Sequence, residues 1–107
     1  MSQAEVITVV KDYLNALKQA GIPVEMAYLY GSYARNEADP DSDIDLLLIS
    51  SIFDTTDDQV LASPWLYTTQ VDHRIEPYSV GLKKFQSDQD SPLLEIIKKE
   101  GIRISTT

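Results

Sequence analysis

Seven residues, Asp43-Ile44-Asp45-Leu46-Leu47-Leu48-Ile49, restrict the possible architectures more than any other part of the chain. Successive side chains on a strand point to opposite faces, so a strand with one wet side alternates apolar and polar residues. Beyond the two aspartates this run is apolar on both parities, with Ile44, Leu46 and Leu48 on one and Leu47 and Ile49 on the other. It is therefore expected at the centre of a sheet with helices on each face. The aspartates share a parity and stand where the buried strand begins.

The flanking sequence supplies the rest of a layered fold. Ser2-Gln3-Ala4-Glu5 reads as a capping box, and Val6, Val9, Val10, Tyr13, Leu14 and Leu17 recur at helical spacing until Gly21 and Pro23 stop them. Val24 to Tyr30 is rich in strand formers, and Tyr33 to Asn36 reads as the first turn of a short helix. Asp54 to Trp65 reads as a loop and a weakly patterned helix. Val71 to Val80 reads as a strand in which Pro77 imposes an edge position or a bulge. Gly81 to Asp90 is turn-like with one helical turn. Ser91-Pro92 starts a last helix, whose buried side is Leu93, Leu94, Ile96 and Ile97 and whose end is Gly101; Ile102 to Ser105 follows as a short strand. The expectation is an α/β or α+β fold, with a mixed sheet of about four strands flanked by helices in a single domain spanning 1–107.

Composition narrows the chemistry. Nine Lys and Arg against seventeen Asp and Glu leave a net charge of −8, and the cations are scattered. Binding to a nucleic-acid backbone needs a basic stripe, so tight nucleic-acid binding by this chain alone is not expected. Cysteine is absent, which excludes disulfides, thiol nucleophiles and thiolate-bound zinc. The N-terminus lacks the pattern of a secretory signal and no run is long enough to span a membrane, so a cytoplasmic location without membrane attachment is expected.

Two features meet between residues 31 and 48. Gly31-Ser32 follows a strand and precedes a helix start, where backbone can approach a ligand and free N–H groups favour an anion such as phosphate. Asp43 and Asp45 lie on one side of a strand with Cα atoms roughly 6.5 Å apart, a spacing that suits shared magnesium. Asp39, Asp41 and Asp43 imitate an EF-hand opening, but the sixth and twelfth positions are Ile44 and Ser50 where that loop needs Gly and Glu. His73, the sole histidine, has no HExxH partner and reads as a surface residue. Trp65, Tyr67 and Tyr78 read as packing aromatics in preference to a base-stacking platform.

The run resembles the signature of the nucleotidyltransferases of the DNA-polymerase-β superfamily, Gly-Ser-x-Ala-Arg-Gly followed by Ser-Asp-x-Asp and three apolar residues. The matching positions are Gly31, Ser32, Ala34, Arg35, Ser42, Asp43, Asp45 and Leu46 to Leu48, and the length is closest to the minimal members. Asn36 departs from the pattern's second glycine, yet asparagine tolerates positive φ. The resemblance implies a polymerase-β-like fold and an enzyme that transfers a nucleoside monophosphate, foremost AMP, from ATP or another nucleoside triphosphate to a hydroxyl. It implies two magnesium ions on Asp43, Asp45 and a third carboxylate. Asp72 and Glu76 share a parity and both are candidates, with Glu76 favoured because it lies deeper in the strand-like run. By the same resemblance Gly31 and Ser32 hold phosphates and Ser42 lies near them, although a loop hydroxyl bonding to local backbone fits Ser42 equally. Arg35 reaches phosphate or braces the acidic loop, with bracing preferred.

The family also implies partners. Its minimal members occur beside HEPN-type toxins as antitoxins, so such a partner protein is expected, and a chain this short suggests a homodimer or hetero-oligomer. The alternative is a non-catalytic or degenerate nucleotide-binding module that neutralises its partner by binding.

Overall fold

The structure is a computed structural model that describes residues 1–87 and 91–106. Helix α1 (Gln3–Gln19) begins as the capping box dictates: the Glu5 N–H donates to the Ser2 hydroxyl, and the Ser2 N–H donates to the Glu5 carboxylate, both at 3.1 Å. Its stripe Val6, Val10, Tyr13, Leu14 and Leu17 is buried. Four strands follow, β1 (Met26–Tyr30), β2 (Ile44–Ser50), β3 (Ile75–Gly81) and β4 (Ile102–Ile104). Between β2 and β3 the chain makes a short 3-10 turn, then helix α2 (Asp58–Ala62) and a 3-10 segment (Ser63–Gln70); helices α3 (Leu82–Ser87) and α4 (Pro92–Glu100) lie between β3 and β4.

The sheet order is β3-β2-β1-β4, with β2 parallel to β3 and both pairings of β1 antiparallel. This is the mixed, helix-flanked α+β sheet that the chain's patterning predicts, and β2 is indeed an inner strand. One face packs Ala27, Leu29, Ile44, Leu46, Leu48 and Ile75 against α1. The other packs Leu47, Ile49 and Val80 against Phe85 of α3 and Leu94 and Ile97 of α4. The Tyr13 hydroxyl donates to the Pro64 carbonyl at 2.6 Å and ties α1 to the 3-10 segment. Among the described residues no helix is long and apolar enough to cross a membrane.

Several boundaries differ from the sequence reading. Tyr33 to Asn36 forms successive turns, not a helix. The Arg35 N–H bonds to the Gly31 carbonyl as one helical turn would, but the Glu37 N–H then closes a wider loop onto the Ser32 carbonyl at 2.8 Å. The strand expected from Val71 starts at Ile75, because Asp72 accepts from the Arg74 backbone N–H and holds residues 71–74 in a turn. The β1 strand begins at Met26, two residues later than expected. In α4 the expected buried side is half correct: Leu94 and Ile97 are buried, while Leu93 and Ile96 are exposed. The expectation that Trp65 is a packing aromatic is not met, since it is 49% exposed. The helical turn expected between Gly81 and Asp90 is α3, and residues 88–90 of that stretch lie outside the described residues.

Pro77 behaves as its ring requires. The Ile44 N–H donates to the Arg74 carbonyl at 2.8 Å, and in a parallel ladder started by that bond the even-numbered residues of β3 face β2. Odd positions therefore direct their backbone outward. Proline's missing donor falls on the open edge, where no ladder bond is lost.

Candidate active site

The register draws three side chains into one row. Tyr30 pairs with Asp45 across β1 and β2, and Asp45 pairs with Glu76 across β2 and β3. Paired residues project to the same face, so Tyr30, Asp45 and Glu76 stand side by side on three adjacent strands. The next row is Tyr28, Leu47 and Tyr78, which joins the core under α3 and α4. Asp43 immediately precedes β2 and is exposed at the same end.

The charges act on one another. Burial pushes the Asp45 carboxyl above the usual carboxylate range, the negative charge of Asp43 pushes it further, and Arg35 partly offsets both. Glu76 is also raised, first by desolvation and then by the charges of Asp43 and Asp45. The Tyr30 phenol is pushed up to about 12, chiefly by burial and then by Asp45, Tyr78 and Glu76. It stays a neutral hydrogen-bond donor at every physiological pH.

Asp72 is placed differently. Its two oxygens take the Arg74 guanidinium in a bidentate pair, Nε at 3.0 Å and Nη2 at 2.7 Å. Arg74 holds the Asp72 carboxyl below its ordinary value. Of the two sequence candidates, the structure thus brings Glu76 beside the aspartates and commits Asp72 to an ion pair. Strand parity cannot separate them; the register with β2 does.

Gly31 joins the turn to the carboxylates. Its φ is +78°, a conformation that side chains rarely adopt, and a Cβ there would run into the Asp45 carboxylate. The Gly-Ser turn is therefore packed directly on the acidic row. Among the described residues no group accepts from the N–H groups of Ser32, Tyr33 and Ala34. The turn is pinned to α1 by the Gln3 side-chain amide, which donates to the Tyr33 carbonyl at 2.9 Å. Asn36 has φ of 59°, so the asparagine takes up the left-handed position that the family pattern gives to glycine.

The remaining candidates are held by the acidic loop. The Arg35 Nε donates to Glu37 at 3.0 Å, a bracing pair, while its charge also reaches Asp45. The Ser42 hydroxyl accepts from the Asp39 N–H at 2.9 Å, and Asp39 also takes the Asp41 N–H. Ser42 thus acts as a loop hydroxyl here. Tyr30 is the residue that sequence reasoning missed. Its signal was available only as a pairing: a residue just before the Gly-Ser turn, in a strand antiparallel to the aspartate strand, lands beside the second aspartate.

Among the described residues no three His, Cys, Asp or Glu side chains already converge on a single metal position. Magnesium commonly takes only one or two carboxylates and fills its shell with phosphate oxygens and water. All-oxygen donors, in which the charge of Asp43 raises Asp45 and both aspartates raise Glu76, suit a hard cation that would offset that repulsion.

Residues 10–104 match the family model of a nucleotidyltransferase domain. The fold resembles a crystal structure, at 1.40 Å resolution, of a candidate nucleotidyltransferase from Sulfolobus solfataricus, with a TM-score of 0.65 and 14% sequence identity. The alignment covers 94% of this chain and 80% of that one, a likeness of fold alone at such identity. No curated protein is significantly similar to the chain in sequence. With the family model spanning most of its length, the chain belongs to the nucleotidyltransferase domain family.

Proposed function

We propose that this nucleotidyltransferase moves AMP from ATP to a hydroxyl on a partner protein, with magnesium held by Asp43, Asp45 and Glu76. The observation that supports the reading is the close packing of the Gly31 turn against the Asp45 carboxylate, the arrangement that a phosphate cradle beside a cation site requires. Magnesium, when bound, neutralises the triphosphate and makes its α-phosphorus open to attack.

The chain's own groups do the rest. The N–H groups of Ser32 to Ala34 and the Ser32 hydroxyl donate to the outer phosphates. Gly31 gives those oxygens room to approach. Glu76, beside Asp45 on the neighbouring strand, is placed to take the proton of the acceptor hydroxyl. The acceptor oxygen bonds to the α-phosphorus as the bond from that phosphorus to the bridging oxygen breaks, and pyrophosphate leaves. Arg35 steadies the acidic loop through Glu37.

The resemblance to minimal nucleotidyltransferases suggests a HEPN-type toxin as the partner and an antitoxin role for this chain. The test is transfer of label from α-labelled ATP to the protein encoded beside it. Labelling that disappears in the Asp43→Ala, Asp45→Ala double variant supports the reading. Neutralisation of the partner that survives in that variant, without labelling, would instead mark a protein that acts by binding.

A further inference from the structure

Asp43 ends an exposed loop that has little support of its own. Glu37, Asp39, Pro40 and Asp41 are exposed, and of these neighbours only Ala38 packs on the core. Inside the loop, Asp39 and Ser42 bind one another and the Asp41 N–H. Among the described residues, residues 39–42 make one hydrogen bond with the rest of the chain. It comes from Arg74, whose Nη1 donates to the Pro40 carbonyl at 3.4 Å.

Arg74 also holds the far side of Asp43. Its backbone carbonyl accepts from the Ile44 N–H at 2.8 Å, so one residue grips the chain at Pro40 and at Ile44. The guanidinium that makes the first contact is itself fixed. Asp72 takes its Nε and Nη2, and Nη2 also reaches the Met1 sulfur at 3.6 Å, at the start of α1. The Arg74 and Asp72 side chains are only 24% and 14% exposed, against 46% and 65% for the Arg35–Glu37 pair. Solvent weakens the exposed pair, whereas the sheltered bidentate one holds a single geometry. A cleft of about 480 Å³ lined by Pro40, Asp41, Thr69, Val71 and residues 72–74 leaves the loop without close packing there, and the guanidinium bridges it.

The loop needs such a hold because of what it carries. The Asp43 carboxyl lies within hydrogen-bonding reach of Glu76, and its negative charge acts on both Glu76 and Asp45. Like charges press a carboxylate on a loop away from the row, and magnesium tolerates little departure from octahedral geometry. Arg74 is also spent on Asp72, so its charge is not free to serve as a phosphate ligand.

We propose that Arg74 is a positioning residue for Asp43, clamping residues 40–44 so that this carboxylate stays where it can share magnesium with Asp45 and Glu76; this rests on the transferase reading above. Arg74→Met removes the guanidinium and keeps the backbone carbonyl. Asp72→Asn still accepts the Arg74 N–H and loses the charged pair. Each full-length variant is compared with the unaltered chain in two measurements. In the metal-free protein, amide exchange is followed by NMR at Ser42 and Ile44, with Leu47 and Leu48 of β2 as internal references. With a non-hydrolysable ATP analogue, calorimetry gives the magnesium concentration for half-maximal binding and, separately, the analogue's affinity at saturating magnesium.

Arg74→Met should speed exchange at Ser42 and Ile44 about tenfold, with Leu47 and Leu48 unchanged. It should raise the magnesium requirement about tenfold and leave the affinity at saturating magnesium nearly unchanged. Asp72→Asn should move the same two quantities in the same direction by less. Exchange that quickens equally along β2 would mark a general loss of stability and overturn the proposal. So would unchanged exchange at Ser42 and Ile44, or affinity lost at saturating magnesium with the requirement unaltered, the sign of a direct phosphate contact. If the unaltered protein binds no analogue at any magnesium concentration, the transferase reading fails, and exchange at Ser42 and Ile44 still decides whether Arg74 clamps the loop.

Discussion

The two faces of the sheet are built from alternate residues of the same strands and come out differently. On the α1 side, Ala27, Leu29, Ile44, Leu46, Leu48 and Ile75 are all buried and all apolar. On the α3–α4 side, Leu47, Ile49 and Val80 are sealed, but the cover stops before Asp45 and Glu76. The first face supplies stability without polar interruption. The second leaves one end open, and there like charges crowd at a cost that the sealed face offsets. A strand with period two can serve both purposes because each residue belongs to only one face.

The largest expected effect separates the two roles within β2. Asp45→Asn should reduce transfer on the order of 10³-fold, measured with α-labelled ATP, while the protein remains folded. Its melting temperature at neutral pH should rise. The Asp45 carboxyl is raised in the folded state, so the native chain holds its proton longer than the unfolded one; the associated stability is present at low pH and is lost as pH rises through the raised value. A neutral amide removes that loss. A lower melting temperature for Asp45→Asn would break the contrast between the faces.

The opposite-face substitution, Leu46→Ala, should cost about 2–5 kcal/mol in urea unfolding while leaving magnesium binding unchanged in the protein that remains folded. Gly31→Ala sits where the faces meet the turn. Strain at positive φ and collision with Asp45 should cost about 1–3 kcal/mol and weaken ATP binding, read by calorimetry. The smallest effect concerns Tyr33, which is 2% exposed and whose hydroxyl has no partner among the described residues. Tyr33→Phe should leave stability unchanged or raise it by up to about 1 kcal/mol. A loss would show that the hydroxyl is satisfied in solution.

What the sequence made legible follows from how far each signal reaches. The periodicity of α1, the two-sided apolar run of β2 and the Ser-Pro start of α4 are local, and the structure has them. Gly31, Asp43 and Asp45 were legible because a turn, a loop and a strand entry are adjacent in the chain. Which of Asp72 and Glu76 lies beside the aspartates was not, since both share a parity and only the pairing of Asp45 with Glu76 shows it. The late start of β3 was hidden for a related reason: Asp72 turns the backbone by binding the Arg74 N–H and guanidinium, in a stretch whose residues suit a strand. Trp65 was misjudged because exposure depends on what the rest of the fold covers.

For transfer to occur, the open end of the second face must take a cation and a triphosphate together. Calorimetry of a non-hydrolysable ATP analogue, with and without magnesium, tests this most directly. Binding should require magnesium, should weaken as pH falls through the raised range of Asp45 and Glu76, and should be lost in the Asp43→Ala, Asp45→Ala protein. Equal binding by that variant, or binding indifferent to magnesium, would contradict it.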